Sequence, residues 1–235
     1  MLLKGGRLHA QIVQFALIAL FAGMGLVPLL LSAAPAVAAD PIVNPSPPLD
    51  PALESASADA RYAVRWVTAQ GDNQGLPFVI VDKKSARMFV FEATGRLRGA
   101  SPALLGLTPG DHSIPGIEQR EVASLRTDER TTPAGRFVSE PGRNLQGEAI
   151  VWFDYAAKLA IHRLRPAPGR ERRAERLASA TPDDNRISMG CVVVPVSFYE
   201  TVVSPVLGKS YGVVYVLPEV QPVQHMLGAL QMSQQ

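Results

Sequence analysis

The chain has 235 residues, a formal net charge of +2, 47% hydrophobic residues and 19% charged ones. That apolar fraction supplies a sizeable core and excludes global disorder, and the near-neutral balance gives no electrostatic basis for nucleic-acid binding. Aromatic residues make up 6%, too few for a base-stacking platform, and twenty prolines with nineteen glycines point to turns and loops rather than a helical bundle.

In chain order, Lys4 and Arg7 precede an apolar stretch over residues 12–31, and small residues follow up to Ala39. A basic start, an apolar centre and an A-x-A-like end describe a secretory signal peptide over residues 1–39, with cleavage expected after Ala38 or Ala39. An uncleaved leader would act as an anchor, because the apolar stretch approaches the length of a membrane span. In either case the rest is exported, periplasmic or at the cell envelope, and touches a membrane only if the leader is kept. Residues 40–75 form a Pro-rich tether followed by a short helix, in which Ala63, Val64 and Val67 recur near helical spacing.

The main domain is expected over residues 76–219. Residues 78–81 and 87–91 are β-branched and aromatic runs flanking Asp82-Lys83-Lys84-Ser85, which predicts a hairpin. A third strand is expected over 96–104, a long polar loop over 108–130, and a strand from Gly135 entered through the turn at Thr132-Pro133. Residues 149–154 and 159–162 predict a further strand pair, 199–206 a helix, and 212–217 a closing strand. Residues 220–235 read as a weakly ordered tail. Many short strands with few helices define a mainly β, α+β domain.

Cys191 is the chain's one cysteine. In an exported protein it has no partner within the chain, so it is a buried small hydrophobe, an intermolecular link or a reactive thiol. Its context, NRISMGCVVVP, favours the last: Gly190 permits a tight turn that brings amide N–H groups near the sulfur, and the apolar run behind it fixes the position. A thiol nucleophile needs a base. Of four histidines, His9 lies in the leader, His225 in the tail and His112 in the polar loop. His162 ends an apolar strand and is the natural partner, although a satisfied half-buried histidine would also fit there. Scattered histidines and one cysteine build no zinc site, and no metal or other cofactor is expected. The lack of a second cysteine argues against a redox protein.

These residues resemble the L,D-transpeptidase catalytic domain, the YkuD-like fold, whose motif is a histidine, a loop and then Ser/Thr-His-Gly-Cys. The resemblance covers residues 78–218 and includes Thr132-Pro133-Ala134-Gly135-Arg136-Phe137, Ser188-x-Gly190-Cys191 with the following Val-Val-Val-Pro, and the late Tyr215-Val216-Leu217-Pro218. It implies a β-sandwich or barrel-like domain with short helices. Cys191 is then the acylated nucleophile and His162 its base, while Ser188 and Gly190 shape the nucleophile loop and its oxyanion contacts. Arg163 and Arg186 are the candidate substrate-binding cations, and the partners are peptidoglycan stem peptides. The reaction implied is thioester formation on Cys191 and transfer to an amine. The alternatives are hydrolysis of the same thioester and a non-catalytic wall-binding module. Met189 stands where the family has histidine, Val193 where Asn or Arg often follows, and the His162–Cys191 spacing is longer than usual. The extra length holds Arg163, Arg165, Arg170, Arg172, Arg173 and Arg176, which read either as a basic lid drawing carboxylates or as a solvated charged helix.

Overall fold

The apolar runs become strands in the computed structural model, which describes residues 53 and 55–233. The expected leader and most of the Pro-rich tether lie outside the described residues. Helix α1 (Ala58–Gln70) starts where the Ser57 hydroxyl accepts from the Ala60 amide at 3.0 Å, and it stops at Gly71, whose φ of 65° closes the last turn. It buries the Ala60, Ala63, Val64 and Val67 stripe. Strands β1 (Phe78–Asp82) and β2 (Arg87–Phe91) form the expected hairpin, followed by β3 (Leu97–Pro102) and the short β4 (Leu105–Gly106). The polar loop holds only 3-10 turns before β5 (Gly135–Arg143), β6 (Ala149–Asp154) and β7 (Leu159–Arg163). The arginine-rich insert carries α2 (Arg173–Ala178), and β8 (Arg186–Ser188) and β9 (Val192–Val194) flank Cys191. A continuous helical stretch follows as α3 (Val196–Phe198), a π turn (Tyr199–Val203) and α4 (Ser204–Leu207), then β10 (Gly212–Val216) and α5 (Val223–Met232).

The fold is β-rich. Eight strands form one mixed sheet in the order β3-β2-β1-β10-β5-β6-β7-β9, with β1–β10 and β7–β9 parallel. Strands β4 and β8 pair beside it, and Leu104 bridges to Val193 at the β9 edge. Every residue of β1 and β10 is buried, because the sheet's centre is covered on both faces and both sets of alternating side chains must be apolar. Val79, Val81, Val214 and Val216 pack with Ile161, Val192, Tyr199 and Leu207 on one face. Phe78, Ile80, Val213 and Tyr215 pack with α1 and α5 on the other.

Helix α5 corrects the expectation of a weakly ordered tail. Pro222 precedes its first turn, and Val223, Met226 and Leu227, at helical spacing, are buried against the α1 side of the core. Both α1 and α5 therefore lie inside the same compact unit as the sheet.

Candidate active site

The parallel register of β7 and β9 sets Ile161 beside Val192, His162 beside Val193 and Arg163 beside Val194. Leu159, Ile161, Val192 and Val194 enter the main core, while Val193 faces the opposite side and packs on Leu104 and Leu177. His162 shares that side by the two-residue alternation of a strand. Cys191 immediately precedes β9 and stands two residues before Val193. His162 thus lies on β7 and Cys191 in the loop that enters the neighbouring β9.

The nucleophile loop is held from behind. Gly190 has φ of +123°, which L side chains rarely adopt, and a Cβ there would lie 2.8 Å from both the Thr131 carbonyl oxygen and Leu159 Cδ2. The buried Ser188 hydroxyl accepts from the Gly190 amide at 3.1 Å and donates to the Cys191 carbonyl at 2.6 Å, closing the turn. Thr132, fully buried, donates its hydroxyl to the Gly190 carbonyl at 2.9 Å and accepts from the Gly106 amide at 2.8 Å. With the Gly190 amide engaged by Ser188, the Cys191 amide, like that of Met189, has no hydrogen-bond acceptor among the described residues.

His162 is 8% exposed, and its Nδ1 lies 2.8 Å from the Arg163 carbonyl oxygen. A carbonyl only accepts, so Nδ1 carries the proton and Nε2 keeps its lone pair. Burial is the main cause that brings the His162 pKa down to about 4; the Arg163 carbonyl and Glu148 oppose this, and the charges of Arg165 and Arg173 reinforce it. The ring is therefore neutral at pH 7. Cys191 is a free, half-buried cysteine whose Sγ donates to the Lys158 carbonyl at 3.7 Å. Burial pushes its thiol pKa up, against the pull of the Ala160 backbone and Arg165. Among the described residues no hydrogen bond joins Sγ to the imidazole. The resting pair is a neutral thiol and a neutral base, suited to proton transfer during attack rather than to a standing thiolate–imidazolium pair.

Of the candidate cations, neither Arg163 nor Arg186 is brought to the pair. Arg163 leaves β7 on the Val194 side and meets Glu148 at 3.3 Å and Glu200 at 3.4 Å. Arg186 is bound to Glu219 and to the Lys83 carbonyl, at 10% side-chain exposure. There it joins a buried cluster in which Lys83 meets Asp111 at 3.1 Å, Glu219 at 3.3 Å and the Thr132 carbonyl at 3.0 Å. Burial alone would raise the Asp111 pKa, but the amides of Glu219 and Gln221 and the Lys83 ammonium outweigh it and hold the carboxyl below its ordinary value. Of the insert's cations, Arg165 acts on both His162 and Cys191, and Arg173 acts on His162.

The insert packs over the same face, with Leu177 of α2 buried on Leu104 and Val193. A cavity of about 420 Å³ is lined there by Leu164, Arg165, Arg172, Arg173, Glu175 and Val196, among others. Its arginines are locally paired, Arg165 with Glu148 at 2.7 Å, Arg173 with Glu171 at 2.5 Å, and Arg172 with Glu175. Among the described residues no group of three or more His, Cys, Asp and Glu side chains is placed to hold a metal ion, and no helix there is long and apolar enough to cross a membrane.

Two features escaped sequence reasoning. The Arg163 carbonyl that orients His162 left no signal, since every residue carries a carbonyl. Thr132 was visible as part of a strand-start motif, but its contact with Gly190 spans 58 positions of sequence.

No protein-family model and no curated protein matches the chain. Among solved structures it is similar to the L,D-transpeptidase from Xylanimonas cellulosilytica DSM 15894, at 17% identity and a TM-score of 0.39 over 60% of this chain and 60% of that one. It is also similar to the Ldtfm–avibactam carbamoyl enzyme, at 17% identity and a TM-score of 0.38 over 61% of this chain and 49% of that one. The chain thus spans about half to three-fifths of the structures it matches.

Proposed function

We propose that this chain is an exported cysteine acyltransferase of the L,D-transpeptidase type, acting on peptidoglycan stem peptides. What supports the reading is a lone thiol, Cys191, placed just before β9, whose Val193 pairs with His162 of β7, and an imidazole tautomer set by the Arg163 carbonyl. The motif resemblance in the sequence supplies the substrate class.

In this reading His162 Nε2 takes the thiol proton as Sγ bonds to the carbonyl carbon of an L-to-D peptide bond. The oxyanion meets the Cys191 amide, a loop donor left without an acceptor among the described residues. Collapse breaks the C–N bond, and His162 returns the proton to the departing D-alanine amine. The thioester is then attacked by the amine of a neighbouring stem, whose proton passes to His162 and back to the restored thiol. Water in place of the amine would give hydrolysis.

The test is intact mass of the purified protein after incubation with a carbapenem, beside Cys191→Ala. An adduct lost in the variant supports the acyl-enzyme, and defined muropeptides then separate transfer from hydrolysis. No adduct on a folded protein with reduced thiol would sink the reading in favour of a non-catalytic wall-binding module.

A further inference from the structure

Behind the nucleophile loop, three groups form a one-directional hydrogen-bond chain. The Gly106 amide donates to Thr132 Oγ1 at 2.8 Å, and Thr132 Oγ1 donates to the Gly190 carbonyl at 2.9 Å. Because a carbonyl oxygen can only accept, the hydroxyl's one proton goes to Gly190, and a lone pair is left for the Gly106 amide. The arrangement is buried and tight. A Cβ on Gly106 would lie 2.5 Å from the Arg130 carbonyl oxygen and 2.6 Å from the Thr132 nitrogen. The Thr132 carbonyl is itself tied down by Lys83 Nζ at 3.0 Å.

The Gly190 carbonyl and the Cys191 N–H belong to one peptide group. That group is planar and trans, so the two bonds point in opposite directions. Fixing the carbonyl on Thr132 therefore aims the Cys191 N–H away from the protein interior behind the loop. A hydrogen bond to the carbonyl oxygen also polarises the peptide and strengthens its N–H as a donor.

We infer that Thr132 is a positioning residue that holds and polarises the Gly190–Cys191 peptide, so that the Cys191 amide faces a developing oxyanion. The inference rests on the acyltransferase reading and adds to it the group that orients the donor. Thr132 is fully buried, and its hydroxyl bonds the Gly106 amide and the Gly190 carbonyl rather than the sulfur. Its effect should appear only in reactions that build charge on a carbonyl oxygen.

The experiment compares two reactions of the same thiol in the full-length protein. With p-nitrophenyl acetate, Sγ bonds to the acyl carbon, p-nitrophenolate leaves and the thiol proton passes through His162 to solvent; an oxyanion forms on the way. With iodoacetamide, Sγ displaces iodide from a saturated carbon and no oxyanion forms. Thr132→Val keeps the shape and removes the hydroxyl, and Thr132→Ser keeps the hydroxyl. Loss of a full oxyanion donor lowers rates about 100- to 1000-fold, so a misaimed one in Thr132→Val should lower acylation at least about tenfold. Alkylation should stay within about twofold of wild type, and Thr132→Ser should recover acylation. If Thr132→Val does not fold, Thr132→Ala carries the same expectation.

Acylation and alkylation falling together would show that Thr132 only supports the loop, and would overturn the inference. So would unchanged acylation, or Thr132→Ser failing as Thr132→Val does. A wild-type protein that is alkylated but never acylated would overturn the acyltransferase reading itself, a failure seen before any variant is made.

Discussion

Lowering the pH from neutral should weaken the fold through His162. Burial brings its folded pKa from 6.5 to about 4. A group depressed in the folded state binds more protons when the chain unfolds, so its contribution is present above pH 6.5 and is lost as pH falls through 4. Linkage gives a loss of about 1.4 kcal/mol by pH 5.5 and about 3 kcal/mol by pH 4. The ring is 8% exposed, so solvent screening removes little of this. Urea unfolding at pH 7.5, 5.5 and 4 should show that decline in wild type. Subtracting the same series for His162→Gln isolates the histidine from other titrating groups, and only the slope is compared because the variant shifts the baseline. A wild-type-minus-variant difference that is flat from pH 7.5 to 4 would refute the buried neutral imidazole, and with it the picture of a base ready without prior deprotonation.

Burial raises the thiol pKa above its ordinary value of 9.0, so iodoacetamide alkylation of Cys191 should keep accelerating past pH 9; a plateau near pH 7 would mean a preformed thiolate. Lys83→Met leaves Asp111 and Glu219 buried with one cation fewer. It should cost about 3–5 kcal/mol in urea unfolding, and a cost below about 1 kcal/mol would show the cluster to be unnecessary. Leu227→Ala removes a fully buried side chain of α5 and should cost about 2–5 kcal/mol, whereas a surface tail would lose almost nothing.

Legibility in the sequence followed the range of the interactions. Strands β1, β2 and β10 were readable because both-face burial makes them apolar at successive positions, and α1 because its buried stripe has helical spacing. Helix α5 carried the same kind of signal in Val223, Met226 and Leu227, masked by the glutamines and the prolines around it. Cys191 and His162 were singled out by elimination among rare residue types. The charges of Arg165 and Arg173 on His162 come from the insert's packing, which nearness in sequence did not single out from the other arginines. Thr132 and Arg186 depended on contacts between distant segments, which composition and spacing do not encode.

The place of β10 has a consequence for the order in which the molecule forms. It lies between β1 and β5 in the middle of the sheet, with Phe78 pairing to Val213 across most of the domain's length. Until β10 is available, β1 and β5 each expose a bare edge, and the sheet is two separate halves. Pairings between such distant segments form slowly, because a long loop must close before they contribute. The sheet therefore stays open at β1 and β5 until residues 212–216 are in place. Strand β10 is thus the one that joins the two halves, and the sheet closes only when it pairs on both sides.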